Sequence, residues 1–326
     1  MDRFVVGTGR CGSTLLSRML ACHPDVLSIF EFFTGLDRGQ AFGTGSVPGA
    51  ELAGLLAAPQ PVLNAVLDAG HIVAEVTYDF DAPGSRFTRS NIPWLASTML
   101  PRISDDVDRD FDALIVWASR QPPRLIGEHF MAVFAWLCDR YAKPVWIERS
   151  GSSVEYVGAL ARLFPDAVFV HLVRDGTEVA LSMREHAAYR LAAGILYPPD
   201  DSTTPAGLDA TLADDNWVDG LIRQRREPEV YGRYWSDQLE AGIAALGLLD
   251  PERRIGVKFE DLVTSPRDVL TRIGDFFDLE PGTWIDDAAR LVREVPHRRA
   301  SDLSDAERAR LMDACRRGRN LVEDHP

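Results

Sequence analysis

Gly7-Thr8-Gly9-Arg10-Cys11-Gly12-Ser13-Thr14 is the stretch on which the reading of this 326-residue chain turns. Phe4-Val5-Val6, a short apolar run, leads into it, and Leu15, Leu16, Met19 and Leu20 recur at helical spacing after it. The order is strand, glycine-rich loop, helix, a context in which loop N–H groups can wrap a phosphate at the helix N-terminus. His23-Pro24 stops the helix, because proline disfavours helical geometry in the residue before it, and Val26 to Ile29 reads as a second short strand.

Against the nucleoside-triphosphate loop G-x-x-x-x-G-K-[ST], Gly7, Gly12 and Thr14 match, while Ser13 stands where a lysine would reach the outer phosphates. Arg10 keeps a cation inside the loop, so a phosphate remains bindable even though a triphosphate loses its main clamp. Gly9, Arg10, Cys11, Gly12, Ser13 and Thr14 are the expected phosphate-cradling residues.

Further along, the chain alternates regularly. A helix is expected near Phe130 to Tyr141, a strand at Val145 to Ile147, a helix at Val154 to Leu163, a strand at Val168 to Val173 and a helix from Thr177 to about Glu185. A long helix around Tyr231 to Leu249, a strand at Ile255 to Phe259, and helices near Pro266 to Phe277 and Ser304 to Leu321 follow. This βαβα order predicts an α/β fold, a three-layer α/β/α sandwich with a central parallel sheet and right-handed crossovers. Without repeats or a clear linker, residues 1–326 read as one domain. Residues from about 35 to 123 read as a variable insertion, with spaced glycines, an Ala/Leu helix near Glu51 to Ala58 and a mixed acidic segment at Asp105 to Asp112. Such insertions commonly shape substrate pockets.

The formal charge of −14 speaks against a nucleic-acid partner, which needs clustered Lys and Arg. In so acidic a chain an anionic nucleotide must be held by a few local arginines and backbone N–H groups. Cys11, Cys22, Cys138 and Cys315 have no paired spacing and no histidine at metal-ligand spacing, so neither zinc nor a disulfide framework is expected. With no signal-peptide core and no apolar run approaching about 18 residues, a cytoplasmic protein without a membrane span is expected.

Val168-Phe169-Val170-His171-Leu172-Val173 ends in Arg174-Asp175, with Ser182 eight residues beyond the arginine. An arginine at a strand's carboxyl end can approach a ligand in the crevice above a parallel sheet, and Ser182 can add a hydrogen bond. Taken with Val6 to Leu16 and His23-Pro24, this resembles the sulfotransferases that use 3′-phosphoadenosine 5′-phosphosulfate (PAPS), in the form common among bacterial members. The resemblance implies a fold similar to that of the P-loop kinases. It implies a 5′-phosphosulfate held by the first loop and a 3′-phosphate held by Arg174 and Ser182. Leu163-Phe164-Pro165-Asp166 and Val145-Trp146-Ile147-Glu148 resemble the family's central block, with Arg149 where a lysine commonly follows the glutamate. Val257-Lys258-Phe259-Glu260-Asp261-Leu262-Val263 resembles another recurrent segment, read as structural. Arg298 and Arg299, in His297-Arg298-Arg299, stand where members place a loop closing on the 3′-phosphate and adenine, although the usual Arg-Lys-Gly wording is absent.

Glu31, before Phe32-Phe33, matches the position of the general base in the sugar-sulfating members that this chain resembles. A base within hydrogen-bond reach of an acceptor hydroxyl contributes about 10²–10⁴-fold, and a carboxylate walled by Phe30, Phe32 and Phe33 is suited to accept a proton near neutrality. His129 is the second expected base, His23 reads as a turn residue, and His186 as lining an acceptor pocket. The expected reaction is in-line displacement at sulfur without a required metal. Arg10 and the loop N–H groups would stabilise the departing 5′-phosphate of adenosine 3′,5′-bisphosphate (PAP). The acceptor is a hydroxyl of a small molecule, glycan or lipid; homo-oligomers are neither required nor excluded. The competing reading is a P-loop kinase or other nucleotide-dependent phosphotransferase, with Thr14 and Asp175 or Glu148 on Mg²⁺.

Overall fold

The computed structural model describes residues 1–198 and 215–324. Its strands are β1 (Arg3–Gly7), β2 (Val26–Phe30), β3 (Ser46–Val47), β4 (Arg124–Leu125), β5 (Val145–Arg149), β6 (Val168–Val173) and β7 (Arg254–Lys258). The first nine helices are α1 (Ser13–Leu20), α2 (Arg38–Ala41), α3 (Gly49–Ala57), α4 (Pro61–Asp68), α5 (Val107–Ser119), α6 (Ile126–Tyr141), α7 (Val157–Leu163), α8 (Gly176–Arg184) and α9 (Ala187–Leu196). They are followed by α10 (Asp215–Arg223), α11 (Pro228–Gly247), α12 (Phe259–Thr264), α13 (Pro266–Phe276), α14 (Trp284–Ala289), α15 (Asp305–Ala314) and α16 (Arg316–Asp324).

Five strands form one sheet in the order β2-β5-β1-β6-β7, and every pairing within it is parallel. Side chains alternate between its faces, and both faces are dry. Phe4, Val6, Leu27, Ile29, Trp146 and Phe169 enter one core, whereas Val5, Val26, Ile147, Val170, Leu172 and Val257 enter another on the opposite side. Helices α1, α12, α13 and α14 cover the second core; α3 to α11, with α15, cover the first. The expected three-layer α/β/α arrangement with a central parallel sheet is what forms.

Boundaries differ from expectation where capping decides them. Strand β5 runs on to Arg149, which pairs in register with Phe30 of β2. The stretch expected as one helix from Val154 opens as a short 3₁₀ turn, Ser153–Tyr156, before α7. A break at Cys315 divides the expected C-terminal helix into α15 and α16. Residues 35–123 are more regular than their glycines suggest. The acidic segment there is the start of α5, whose N-cap Asp106 accepts a hydrogen bond from the Arg109 N–H. Acidic side chains at a helix start favour the helix dipole, which composition alone conceals.

Helix α5 is tied to α6 through a buried carboxylate. Asp110 accepts hydrogen bonds from Tyr141 at 2.8 Å, Ser104 at 2.8 Å, Arg109 at 3.2 Å and Arg140. Burial alone would raise its pKa, but Arg140, Tyr141 and Ser104 overcome that and hold it well below the usual carboxylate range. A depressed carboxylate stabilises the fold above its unfolded pKa and ceases to as pH falls through the folded one. Asp110→Ala is therefore expected to lower the unfolding free energy by about 1–3 kcal/mol at pH 7, read by urea titration. The gap to wild type should narrow progressively below about pH 4.

Candidate functional site

In an open parallel sheet, ligands bind in the crevice outside the carboxyl ends of the strands, and here every strand of the main sheet ends in a residue of interest. The glycine-rich loop follows β1, Glu31 follows β2, Arg149 ends β5, Arg174 follows β6 and Phe259 follows β7. Strand pairing sets their spacing before any side chain is placed.

The loop is shaped by close contacts that only glycine allows. A Cβ on Gly9 would lie 1.6 Å from the Tyr189 hydroxyl, and one on Gly12, whose φ is +94°, would lie 2.1 Å from the Phe259 ring. Gly12 is the N-cap of α1 and no side chain caps it, so N–H groups of that first turn are left for an outside acceptor. Arg10 also has positive φ, +62°. Its Nε donates to Ser182 Oγ at 3.2 Å and its Nη1 to Glu75 Oε1 at 3.0 Å, while its own carbonyl accepts from Arg174 Nη1 at 3.2 Å. The two anion motifs of the sequence are thus in direct contact. Arg174 also stacks over Phe259, 4.6 Å from the ring centre. Cys11 turns its thiol down into the core and offers the site only its backbone.

Glu31 is 4% exposed and has φ +57°, an unfavourable backbone for a residue with a Cβ. The turn sends Phe32 and Phe33 into an aromatic cluster with Phe130 and Phe134. The carboxylate meets donors instead of the expected phenylalanine wall: Arg149 on Oε1, and the Gly151 N–H at 2.7 Å and Thr34 Oγ1 on Oε2. Arg149 is 1% exposed; its Nη2 donates to Thr14 Oγ1 at 3.1 Å and its guanidinium stacks on Phe30 at 3.8 Å.

Glu75 was not singled out in the sequence, since an isolated acid in Val73-Ala74-Glu75-Val76 carries no spacing signal. In the fold it bridges Arg10 and His186, whose Nε2 lies 2.9 Å from Oε2. Burial would raise its pKa, but the His186 hydrogen bond and charge, with Arg10, bring it down to about 2.

Two cavities open on this arrangement. A polar one of about 140 Å³ is lined by Gly9, Arg10, Gly12, Ser13, Thr14, Arg149, Arg174 and Ser182. A more apolar one of about 200 Å³ has Val62, Leu63, Val73, Trp94, Ala188 and Ala192 in its walls, with His186 among its polar residues. Glu31, Glu75, Gly151 and Tyr189 line both and so form the neck between them.

Other expected residues lie outside both cavities. His129 is fully buried on α6, the Nε2 of its ring 2.7 Å from the Val47 carbonyl, because α6 presents that position to the core. The segment with Arg298 and Arg299 is pinned to α8 where Glu178 accepts from the N–H groups of Arg299 and Ala300 at 3.1 and 3.0 Å, which leaves Arg298 and Arg299 beside the polar cavity rather than in its wall. Asp175 caps α8 through the N–H groups of Thr177 and Glu178. Glu148 is wholly buried, and burial pushes its pKa up to about 8. His23 bridges the Asp25 N–H and the Glu280 carbonyl, a turn role. Among the described residues no group of acidic, histidine or cysteine side chains is arranged to hold a metal, and no helix is long and apolar enough to cross a membrane.

Arg149→Ala would leave Glu31 charged and buried without its counter-ion. The expected loss is about 3–5 kcal/mol of unfolding free energy by urea titration, and Arg149→Lys, which keeps the charge but cannot bond Glu31 and Thr14 together, should recover only part of it.

Comparison with known proteins places this geometry in context. The family model described as "Sulfotransferase family" matches residues 121–195, which carry Arg149, Arg174, Ser182, His186 and Tyr189. No curated protein matches. Among solved structures the chain is similar to the sulfotransferase domain of the olefin synthase of Synechococcus PCC 7002, at 18% identity and a TM-score of 0.49, over 99% of this chain and 93% of that one. It is similar to the sulfotransferase domain of the curacin biosynthetic pathway, at 16% and 0.49, over 96% of each. A sulfotransferase of Mycobacterium tuberculosis H37Rv is 20% identical with a TM-score of 0.43, over 97% of this chain and 76% of that one. The family match falls on the central block that the sequence resemblance had marked, so residues 121–195 are similar to the sulfotransferase family.

Proposed function

We propose that the protein transfers a sulfuryl group from PAPS to the hydroxyl of an acceptor. The observation that carries this is the neck: a polar cavity lined by both anion motifs adjoins a more apolar one, and Glu31 stands in the wall of each. Residues 1–326 act as one domain in this reading, since apolar side chains of the segment 35–123 share the core beneath the sheet and Glu75 joins the site.

The polar cavity fits the donor. Uncapped N–H groups at the start of α1, with Arg10, would hold the 5′-phosphosulfate, and Arg174 with Ser182 the 3′-phosphate. Arg298 and Arg299, in the segment whose backbone bonds Glu178 of α8, would extend that cationic surface. The donor supplies an activated sulfur bonded to a phosphate oxygen that can leave. Glu31 takes the proton of the acceptor hydroxyl as its oxygen bonds to sulfur. Arg10 and the loop N–H groups receive the charge left on the phosphate as the sulfur–oxygen bond breaks. Three donors hold the Glu31 carboxylate, and its place in the walls of both cavities leaves it facing the neck. Strained backbone at such a residue is common where positioning is part of the mechanism. His129, enclosed in the core, is not placed for this role.

The phosphotransferase reading is weaker. Either candidate for its acidic metal ligand is committed elsewhere, Asp175 to the cap of α8 and Glu148 to the buried interior, where it accepts from Ser150 and the Phe32 N–H.

Thermal unfolding with PAP, and separately with ATP and Mg²⁺, tests the donor. A ligand at 100 times its Kd adds about 2.7 kcal/mol, so PAP without metal should raise Tm and ATP with Mg²⁺ should not. Arg174→Ala should remove most of the PAP effect. Stabilisation by ATP and Mg²⁺ alone would favour the phosphotransferase reading. Glu31→Gln weakens the partner of a buried arginine, so it should both lower stability and cut turnover by about 10²-fold or more, with PAP affinity retained. Full turnover in that variant would remove Glu31 as the base.

A further inference from the structure

The second cavity has a chemical character that narrows the acceptor, given the sulfuryl-transfer reading above. Its charged residues all have counter-charges within the protein. Glu31 is paired with Arg149, Glu75 with Arg10 and His186, and Arg38 with Glu155 at 3.2 Å. Several neutral polar groups are committed as well. Gln60 caps α4 by accepting from the Leu63 N–H, Thr34 donates to Glu31, and Ser152 and Tyr189 join their hydroxyls at 3.3 Å. The rest of the lining is mostly apolar, with Val62, Leu63, Val73, Trp94, Ala188 and Ala192, and among the described residues only Tyr234 and the second ring nitrogen of His186 add polar groups without a committed partner. These alanines are four residues apart, hence on one face of α9, and their small size sets how far the cavity reaches.

A polyol placed here would give up water for walls that offer its extra hydroxyls few partners, and an ionised acceptor would find no free counter-charge. We propose that the acceptor is an uncharged alcohol or phenol with an apolar body. The hydroxyl to be sulfated lies at the neck beside Glu31, the body against Val73, Trp94 and the Ala188–Ala192 face. This narrows the small-molecule, glycan or lipid acceptors that the sequence left open. A base site is shared by the chemistry of transfer, whereas the acceptor is chosen by the wall beyond it.

The test uses the full chain with PAP or PAPS and three probes of similar size: para-ethylphenol, para-hydroxybenzoate and methyl glucoside. Saturation-transfer NMR with PAP bound should show para-ethylphenol binding and the other two not. With PAPS, its kcat/KM should exceed theirs by about tenfold or more, the discrimination expected from one buried polar group without a partner. Ala192→Phe fills the cavity, and Ala188→Leu does so more mildly. Each should weaken para-ethylphenol binding at least about tenfold while PAP affinity, which also reports that the variant is folded, stays at the wild-type value. Preference for the glucoside or the benzoate, absence of para-ethylphenol binding to the PAP complex, or unchanged binding in both variants overturns the inference and leaves the donor reading standing. Failure of PAP to bind the wild-type protein removes the donor reading and this one with it.

Discussion

A guanidinium with almost no contact with water sits at the centre of this molecule. Arg149 ends an interior strand of the sheet, and burying its charge is tolerable only because its surroundings answer it: Glu31 just after β2, Thr14 from α1 and the face of Phe30 in β2. Those partners come from different elements, so satisfying one side chain fixes the edge strand, the loop helix and the site carboxylate relative to one another. A buried ion pair need not add net stability, but breaking it is expensive, which makes its geometry hard to abandon. Precision of the neck follows from that asymmetry rather than from rigidity of the loops.

The same ring carries the constraint into the segment 35–123. Arg102 also stacks on Phe30 at 3.8 Å, so both guanidinium groups pack on the same ring. Arg102 in turn donates to the carbonyl of Glu75 at 3.2 Å. A continuous chain of contacts thus runs from Glu31 through Arg149, Phe30 and Arg102 to the backbone of Glu75. The Glu31 carboxylate and the Glu75 backbone are both tied, through an arginine each, to one phenylalanine. This is why a stretch that reads as an irregular insertion contributes a residue to the site without being a flexible lid over it.

The layered fold was legible because its signals are local. The apolar runs of β1 and β6, the glycines before α1 and the His23-Pro24 stop each act within a few residues, and the strand ends followed from them. Glu31 and Arg174 were legible by their place just after strands. Arg149 was visible as a charge in place of lysine, but not as the partner of Glu31, since that pairing depends on β2 lying beside β5. Glu75 was invisible for the same reason in stronger form: its partners, Arg10 and His186, are 65 and 111 residues away, and no periodicity records such a contact. His129 misled because a histidine's chemistry is readable from its type whereas its direction depends on which face of α6 packs inward. The phenylalanines flanking Glu31 misled likewise, since a positive φ at that residue turns them away from the carboxylate they adjoin.

Charge presents the deeper problem. A chain of net charge −14 places two carboxylates, Glu31 and Glu75, at the mouth of a cavity suited to an anion. Left bare, they would oppose it. Each is instead answered by a cation that also faces the anion cavity, Arg149 for Glu31 and Arg10 for Glu75, with His186 adding a hydrogen bond to Glu75. Neutral overall, the neck neither repels an anion on one side nor attracts charge on the other. The remaining cation, Arg174, is held by weaker company, its nearest carboxylate oxygen on Glu178 being 3.9 Å away. It is therefore less tightly paired than Arg10 or Arg149, and it lies at the end of the cavity away from Glu31 and Glu75. On the donor reading proposed above, an anion entering the cavity would meet Arg174 with its most charged group and turn its other end to Glu31 and Glu75, where an acceptor would meet it.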